Sequence, residues 1–147
     1  MGTNDSPFTP DEIIKFHNVM NISEKDLKEN PYGFKMNEGA IEEFKRKHQL
    51  TIKSSSDIVE HNNVNCILYS KNRETRGASF IAHIRNAYVH SNISVEEDEF
   101  IIKDYKDIYQ NKRKVGKKMT AYGRIKRDLL LPFIDCMLED RNNNINN

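Results

Sequence analysis

The sequence predicts one mainly α-helical domain that carries a small β-hairpin. Apolar residues recur at helical spacing through most of the chain, whereas the alternation typical of strands is confined to residues around 93–102. At 147 residues, with 37% hydrophobic and 31% charged residues, the chain suits a single domain with a modest core. We place that domain at residues 1–140 and expect the Asn-rich end, 141–147, to be a disordered tail.

Three helices are predicted in the N-terminal part. Thr9 can cap the first helix, Pro10 suits its first position, and Glu12 stands where the partner residue of a capping box would be. A short second helix is predicted over residues 23–29 and ends before an Asn-Pro pair. A third helix is predicted over residues 37–48.

The central part is predicted to consist of a loop and two helices. Residues 53–56 form the loop, and a long helix is expected over 57–72. Several asparagines make that helix weak by itself, so we expect tertiary packing to hold it. The next helix, over 79–90, has a buried face made of Phe80, Ile81, Ile84 and Tyr88.

The C-terminal part begins with the predicted hairpin, over residues 93–102. The run KRKVGKK, at 112–118, is predicted to be a basic loop. Residues 119–126 are expected to return to the hairpin as an extended segment. An apolar helix over 129–138 closes the domain, and Pro132 must lie in its first turn or kink it.

The composition bears on the compartment of the protein and on whether it binds a metal or a cofactor. No apolar run approaches the ~20 residues of a membrane helix, and the N-terminus lacks the order of a signal peptide. Cys66 and Cys136 have no metal-ligand spacing and sit in segments predicted to be helical, which is typical of packing residues in a reducing compartment. We therefore expect a cytoplasmic protein with no membrane span, no metal and no cofactor.

The segment SFIAHIRNAYVH, residues 79–90, carries the groups needed to cut RNA without a metal. Arg85 can hold a phosphate through its fixed fork of donors, and His90 can take or give a proton near neutral pH. An Arg-x4-His pair alone is a weak signal, but an asparagine directly after the arginine, here Asn86, lowers the chance of coincidence to about one in thirty.

With the string FIAHIRNAYVH, a hairpin-like segment after it and a closing apolar helix, the chain resembles the HEPN superfamily, small helical domains of which many are ribonucleases. The resemblance covers roughly residues 56–139 and is strongest at the motif. It implies a helical bundle that forms a homodimer through the motif helix, with Arg85 and His90 lining a cleft at the twofold axis. On one ideal helix these two residues lie about 140° apart, so either the helix loosens before His90 or a second copy completes the site.

The reaction that the resemblance implies is attack of an RNA 2′-hydroxyl on its own 3′ phosphate. His90 would act as general base or general acid, Arg85 would neutralise charge on the phosphate, and Asn86 would orient a reacting group. The products would carry a cyclic phosphate, and DNA would be spared. A non-catalytic interpretation of each residue stays open. Arg85 can form a surface ion pair, Asn86 can face solvent, and His90 can pair with the carbonyls at the end of the helix.

Further residues are candidates for substrate contact. His83 shares a helix face with Asn86 and His90, either as a second cleft residue or as a structural one; with His90 it lacks the further ligands of a zinc site. The net charge is only +1, so attraction for RNA must be local. The basic run could guide RNA or merely be solvated; its charged residues are Lys112, Arg113, Lys114, Lys117 and Lys118.

One departure from the HEPN pattern concerns the end of the motif helix. Relatives often have Ala-His-Gly where this chain has Val89-His90-Ser91. Glycine permits the left-handed turn that ends a helix, and we expect Asn92 to supply that turn one residue later.

The leading hypothesis is a metal-independent endoribonuclease that acts as a HEPN homodimer, in the role of a toxin or an anti-phage effector. The alternative is a non-catalytic dimer that binds RNA or a protein partner. A third hypothesis is a latent nuclease controlled by an antitoxin or another regulatory protein.

Overall fold

The computed structural model describes residues 6–145, with side chains described to residue 143, and it corrects the predicted fold class. The chain folds into a mixed α/β domain around a five-stranded sheet, so the prediction of a mainly α-helical bundle is wrong. In chain order the elements are α1 (Pro10–Met20), α2 (Glu24–Glu29), a 3-10 turn (Pro31–Gly33), α3 (Gly39–His48), β1 (Thr51–Ser54), β2 (Cys66–Tyr69), α4 (Arg76–Val89), β3 (Ile93–Glu96), β4 (Glu99–Gln110), β5 (Arg113–Lys126) and α5 (Leu130–Ile145).

Three segments account for the error in fold class, and one of them is β1, whose residues Lys53 and Ser54 were expected in a loop. The long helix expected over 57–72 is instead an irregular connection followed by β2, at Cys66–Tyr69. A four-residue apolar run has no periodicity that separates a buried strand from a helix. Of the run KRKVGKK only Lys112 is in a turn, and the other six residues are the first part of β5, in which both faces meet solvent. A pair of strands with both faces exposed to solvent does not alternate apolar and polar residues, so its sequence does not show the period of a strand.

The sheet has the order β1-β2-β5-β4-β3, with β1 and β2 parallel and the other neighbours antiparallel. The predicted hairpin is confirmed as β3 and β4, and residues 119–126 return to it as part of β5. In the β2–β5 pair, Gly123 lies opposite Ile67, and a Cβ on that glycine would come within 2.5 Å of the Ile67 side chain. The glycine therefore permits the close approach of β2 to the middle of the sheet.

Several predicted helix signals are confirmed. The Thr9 hydroxyl accepts from the Glu12 backbone at 3.2 Å, and the Glu12 carboxylate accepts from the Thr9 backbone at 2.9 Å, which completes the capping box of α1. Pro132 lies in the first turn of α5, as expected. Helix α5 is described to Ile145, so it continues past residue 140, where the tail was expected to begin.

Helix α4 is the central helix of the domain. It packs against α1, the 3-10 turn, β2 and β4. Its N-terminus is fixed by Thr75, whose hydroxyl accepts from the Ala78 backbone at 3.1 Å and donates to the Pro31 carbonyl at 2.8 Å. Among the described residues no helix is long and apolar enough to cross a membrane. The core around α4 includes Phe16, Phe80, Ile84, Phe100 and Phe133.

Candidate functional site

The predicted motif lies on α4, which stays regular to its last turn. The helix runs unbroken to Val89, and the His90 backbone N–H still donates to the Asn86 carbonyl at 3.0 Å. The helix therefore does not loosen before His90. Because five residues turn about 140° beyond one full turn, Arg85 and His90 of one chain point in different directions.

The helix ends in a left-handed turn at Ser91, not at Asn92. Ser91 has φ +59° and its N–H donates to the Tyr88 carbonyl at 3.1 Å, while the Asn92 N–H donates to the Ala87 carbonyl at 2.7 Å. This pair of bonds is the Schellman arrangement. The expectation for Asn92 is wrong, because Ser91 adopts the conformation at the position where the HEPN pattern has glycine.

The Arg85 guanidinium forms hydrogen bonds within the protein. Its guanidinium donates to the Ile22 carbonyl at 2.7 Å and to the Glu24 carboxylate at 2.9 Å, and the side chain is 15% exposed. Glu24 also accepts two hydrogen bonds from Arg73, at 2.8 and 2.9 Å. The hydrogen bond from Arg73, with a further one from Arg85, lowers the pKa of Glu24. Arg85 therefore forms an ion pair, as the non-catalytic interpretation expects, but the pair is partly buried and not at the surface.

His83 is a buried structural residue and not a cleft residue. It is 1% exposed, and its ring contacts the Asp104 carboxylate through Nδ1 at 2.8 Å and the Ser70 carbonyl through Nε2 at 2.7 Å. The Ser70 carbonyl can only accept, so Nε2 donates to it. With Nε2 directed at a carbonyl, no lone pair is left to activate the Ser70 hydroxyl 3.4 Å away. The contribution of Asp104 was not visible in the sequence, where it stands 21 residues from His83.

Asn86 opens on a cleft of about 560 Å³ between α4, the end of β2 and the outer part of the β4–β5 pair. The Asp104 carboxylate in the lining is buried and faces His83. The Asn86 side chain forms no hydrogen bond with the residues that the structure describes. The basic residues of the lining are Lys71, Arg73, Lys106 and Lys118, which gives the cleft a positive rim suited to a polyanion.

His90 stands exposed at the end of α4. Its ring has no hydrogen bond, ion pair or ring contact with residues 6–143, so it does not cap the helix-end carbonyls. It follows Asn86 by four residues, which places the two about 40° apart around the helix and about 6 Å apart along it. His90 and Asn86 therefore lie on the same side of α4, but only Asn86 lines the cleft, and Arg85 faces α2.

The predicted basic residues lie on an exposed β-ladder. Lys112 is in the turn between β4 and β5, and the others are in β5. Lys118 lines the cleft, and Lys114 pairs with Asp107 at 3.3 Å. Their neighbour Lys106, on β4, also lines the cleft and was missed because the segment around it was not recognised as a strand that pairs with the basic run.

Within residues 6–145 no three His, Cys, Asp or Glu side chains come together as metal ligands would. Cys66 begins β2 and Cys136 lies in α5; both are free thiols whose pKa is raised by partial burial.

The fold and the cleft define a mixed α/β domain that has a basic cleft beside its central helix and a long basic β-ladder. Comparison with protein-family models, with curated proteins and with solved structures found no match to this chain.

Proposed function

We propose that this protein is a metal-independent endoribonuclease that acts as a homodimer in the cytoplasm. The observation that carries the proposal is the position of Asn86 and His90 on one side of α4. Both side chains lack partners among the described residues, and Asn86 opens on a cleft with four basic residues. As a toxin or anti-phage effector, such an enzyme would act under an antitoxin or another regulatory protein; that role rests on the sequence resemblance.

In the proposed reaction the lysines of the cleft hold the sugar-phosphate backbone of an unpaired RNA strand. His90 takes the proton of a 2′-hydroxyl, whose oxygen attacks the adjacent phosphorus. The bond from phosphorus to the 5′-oxygen breaks, and the imidazolium of the partner copy's motif protonates that oxygen. Asn86 donates its amide N–H to a non-bridging phosphate oxygen. The products are a 2′,3′-cyclic phosphate and a 5′-hydroxyl.

The role of Arg85 in the proposed reaction depends on Glu24. Glu24 and Ile22 already accept from its guanidinium. A carboxylate and a phosphate bind an arginine fork in similar ways. Arg85 can therefore contact a phosphate to the extent that Glu24 shares or releases its donors, and otherwise it positions α4 against α2.

A second candidate function is RNA binding without cleavage. The engagement of Arg85 by Glu24 favours it, because a transition-state arginine that is already neutralised contributes little charge to a phosphate. The basic cleft serves either function equally well. Chemistry at His90 therefore distinguishes the two.

The test is incubation of the purified protein with end-labelled single-stranded RNA in EDTA. Wild type, Asn86→Ala, His90→Ala and the control His48→Ala, at the end of α3, are compared. We expect cyclic-phosphate products from wild type and the control, a loss of at least about a hundredfold in His90→Ala, and a smaller loss in Asn86→Ala. Cleavage by His90→Ala at the wild-type rate would exclude the mechanism. RNA binding without cleavage by any variant would support the second candidate.

A further inference from the structure

The outer part of the β4–β5 pair projects from the domain as a two-stranded arm, residues 105–118. Strand β2 pairs with β5 only over Ala121–Arg124, and β3 pairs with β4 only over Glu99–Ile102. Beyond these residues, and within 6–145, β4 and β5 have only each other as sheet neighbours, up to the pair Gln110–Arg113. At about 3.3 Å per residue the arm reaches roughly 20 Å beyond the sheet.

The arm has the geometry of a twisted ribbon. Asn111 and Lys112 at its tip both have positive φ, +54° and +66°. Two such residues between antiparallel strands form the turn whose twist matches that of the strands. Irregular pairing between Asp104 and Tyr105, and again between Ile108 and Tyr109, adds to the local twist.

The charge of the arm is unbalanced. It has one acidic residue, Asp107, which pairs with Lys114 at 3.3 Å. The whole chain has a net charge of +1, whereas the arm alone has +5, so the rest of the chain is net acidic. Such a concentration of cations attracts a polyanion. The basic residues of the arm are Lys106, Lys112, Arg113, Lys114, Lys117 and Lys118.

Apolar side chains lie between these charges. Tyr109 is 62% exposed and Val115 is 52% exposed, and Tyr105 and Ile108 are exposed as well. The mixture suits a partner that offers phosphates together with the apolar faces of sugars. A lipid surface would meet a flat array of headgroups, whereas this arm is a narrow convex rod.

The shape of the arm selects among nucleic acids. Proteins hold single strands in concave grooves with stacking aromatics, and the cleft, not the arm, has such a form. A convex two-stranded ribbon fits a groove of a duplex. In base-paired RNA the minor groove is wide and shallow and is lined by 2′-hydroxyls and phosphates.

We propose that the arm lies along the groove of a base-paired RNA stem. The inference rests on the proposed function for its choice of RNA, and it assigns the substrate class: an RNA in which a stem adjoins the unpaired strand that enters the cleft. Lys106 and Lys118 belong to both the arm and the lining of the cleft. One continuous basic surface can therefore hold the stem and its unpaired neighbour together.

The test measures binding of a fluorescein-labelled RNA stem-loop and of the same strand with its stem scrambled, over a series of salt concentrations. All proteins carry His90→Ala, so that binding is read without cleavage. The arm variant combines Lys112→Gln, Arg113→Gln and Lys117→Gln, which leaves the Lys114–Asp107 pair and the cleft residue Lys118 in place. The matched control removes the same charge elsewhere, with Lys25→Gln, Lys28→Gln and Lys47→Gln, all at exposed positions.

We expect the arm variant to bind the stem-loop at least about tenfold more weakly, with the salt slope reduced by about one for each phosphate that the arm no longer neutralises. Its binding of the scrambled strand and that of the control protein should change by less than about twofold. Tyr109→Ser, which keeps every charge, should also weaken stem-loop binding.

Equal losses on the two RNAs, equal losses in the control protein, or unchanged stem-loop binding by the arm variant would each overturn the assignment of the arm. Because His90→Ala is present throughout, a failure of the ribonuclease proposal appears in the cleavage assay and not in this comparison.

Discussion

Glu24 accepts a hydrogen bond from Arg85 at 2.9 Å across 61 residues of sequence. The same carboxylate accepts from Arg73, which lines the cleft. A carboxylate therefore accepts two hydrogen bonds from Arg73 and one from Arg85 beside a cleft suited to phosphates. This arrangement both joins α2 to α4 and limits the charge that Arg85 can offer to a substrate.

Replacing Glu24 by glutamine should strengthen RNA binding. The change removes one negative charge beside the cleft and frees donors on Arg73 and Arg85, so we expect about threefold to tenfold tighter binding of single-stranded RNA at low salt. Stability should fall by about 1 kcal/mol, since the pair is partly exposed. Fluorescence anisotropy and urea unfolding give the two values. Glu29→Gln, at the end of the same helix, is the control, and equal effects of the two changes would contradict the prediction.

Replacing Asp104 by alanine should destabilise the fold. The change leaves the buried His83 ring without its carboxylate partner, and breaking such a pair costs about 3–5 kcal/mol. Urea unfolding followed by circular dichroism measures the loss. Asp107→Ala, on the exposed part of the same strand, should cost less than about 1 kcal/mol. A fully stable Asp104→Ala protein that has lost RNA cleavage alone would instead place this pair in the chemistry.

Replacing Ser91 by glycine should stabilise the protein by about 1 kcal/mol. Ser91 has φ +59°, a conformation that costs a residue with a Cβ about 1–2 kcal/mol and costs glycine almost nothing. Ser91→Val should have the opposite effect, because a β-branched side chain tolerates positive φ least. Thermal unfolding of the two variants checks the sign, and a lower melting temperature for Ser91→Gly than for wild type would refute this account of the helix end.

Stability should decrease as the pH falls below about 4.5, the ordinary pKa of a glutamate. The hydrogen bond from Arg127 lowers the pKa of Glu12, and that from Arg73 lowers the pKa of Glu24. A carboxyl with a lowered pKa in the folded state stabilises the fold above its unfolded pKa, and this contribution is lost as the pH falls through the folded value. Urea midpoints measured across this range should be less sensitive to acid in Glu12→Gln than in wild type. Identical acid profiles would exclude a contribution from Glu12.

The features that were predicted correctly depend on short stretches of sequence. The capping box joins Thr9 to a residue three positions away. Proline is disfavoured in the middle of a helix, which restricts the position of Pro132. The β3–β4 hairpin pairs segments that are close in sequence. The apolar face of α4 was visible through its periodicity. The motif residues Asn86 and His90 were predicted to share a helix face, and they lie on one side of α4.

The features that were missed depend on pairing between distant segments. Strand β2 pairs with β5, more than fifty residues later, and the polar arm of β4 and β5 has no buried face to show in the sequence. The local pattern placed Arg85 on a helix, but only the arrival of Glu24 from α2 decided that its guanidinium is neutralised. By itself the sequence determined where most helices lie and which chemical groups α4 carries, because both follow from local spacing. The tertiary structure decided the sheet, the His83–Asp104 pair and which motif side chains are free to contact a substrate. These features depend on contacts between residues far apart in sequence, which local spacing does not predict.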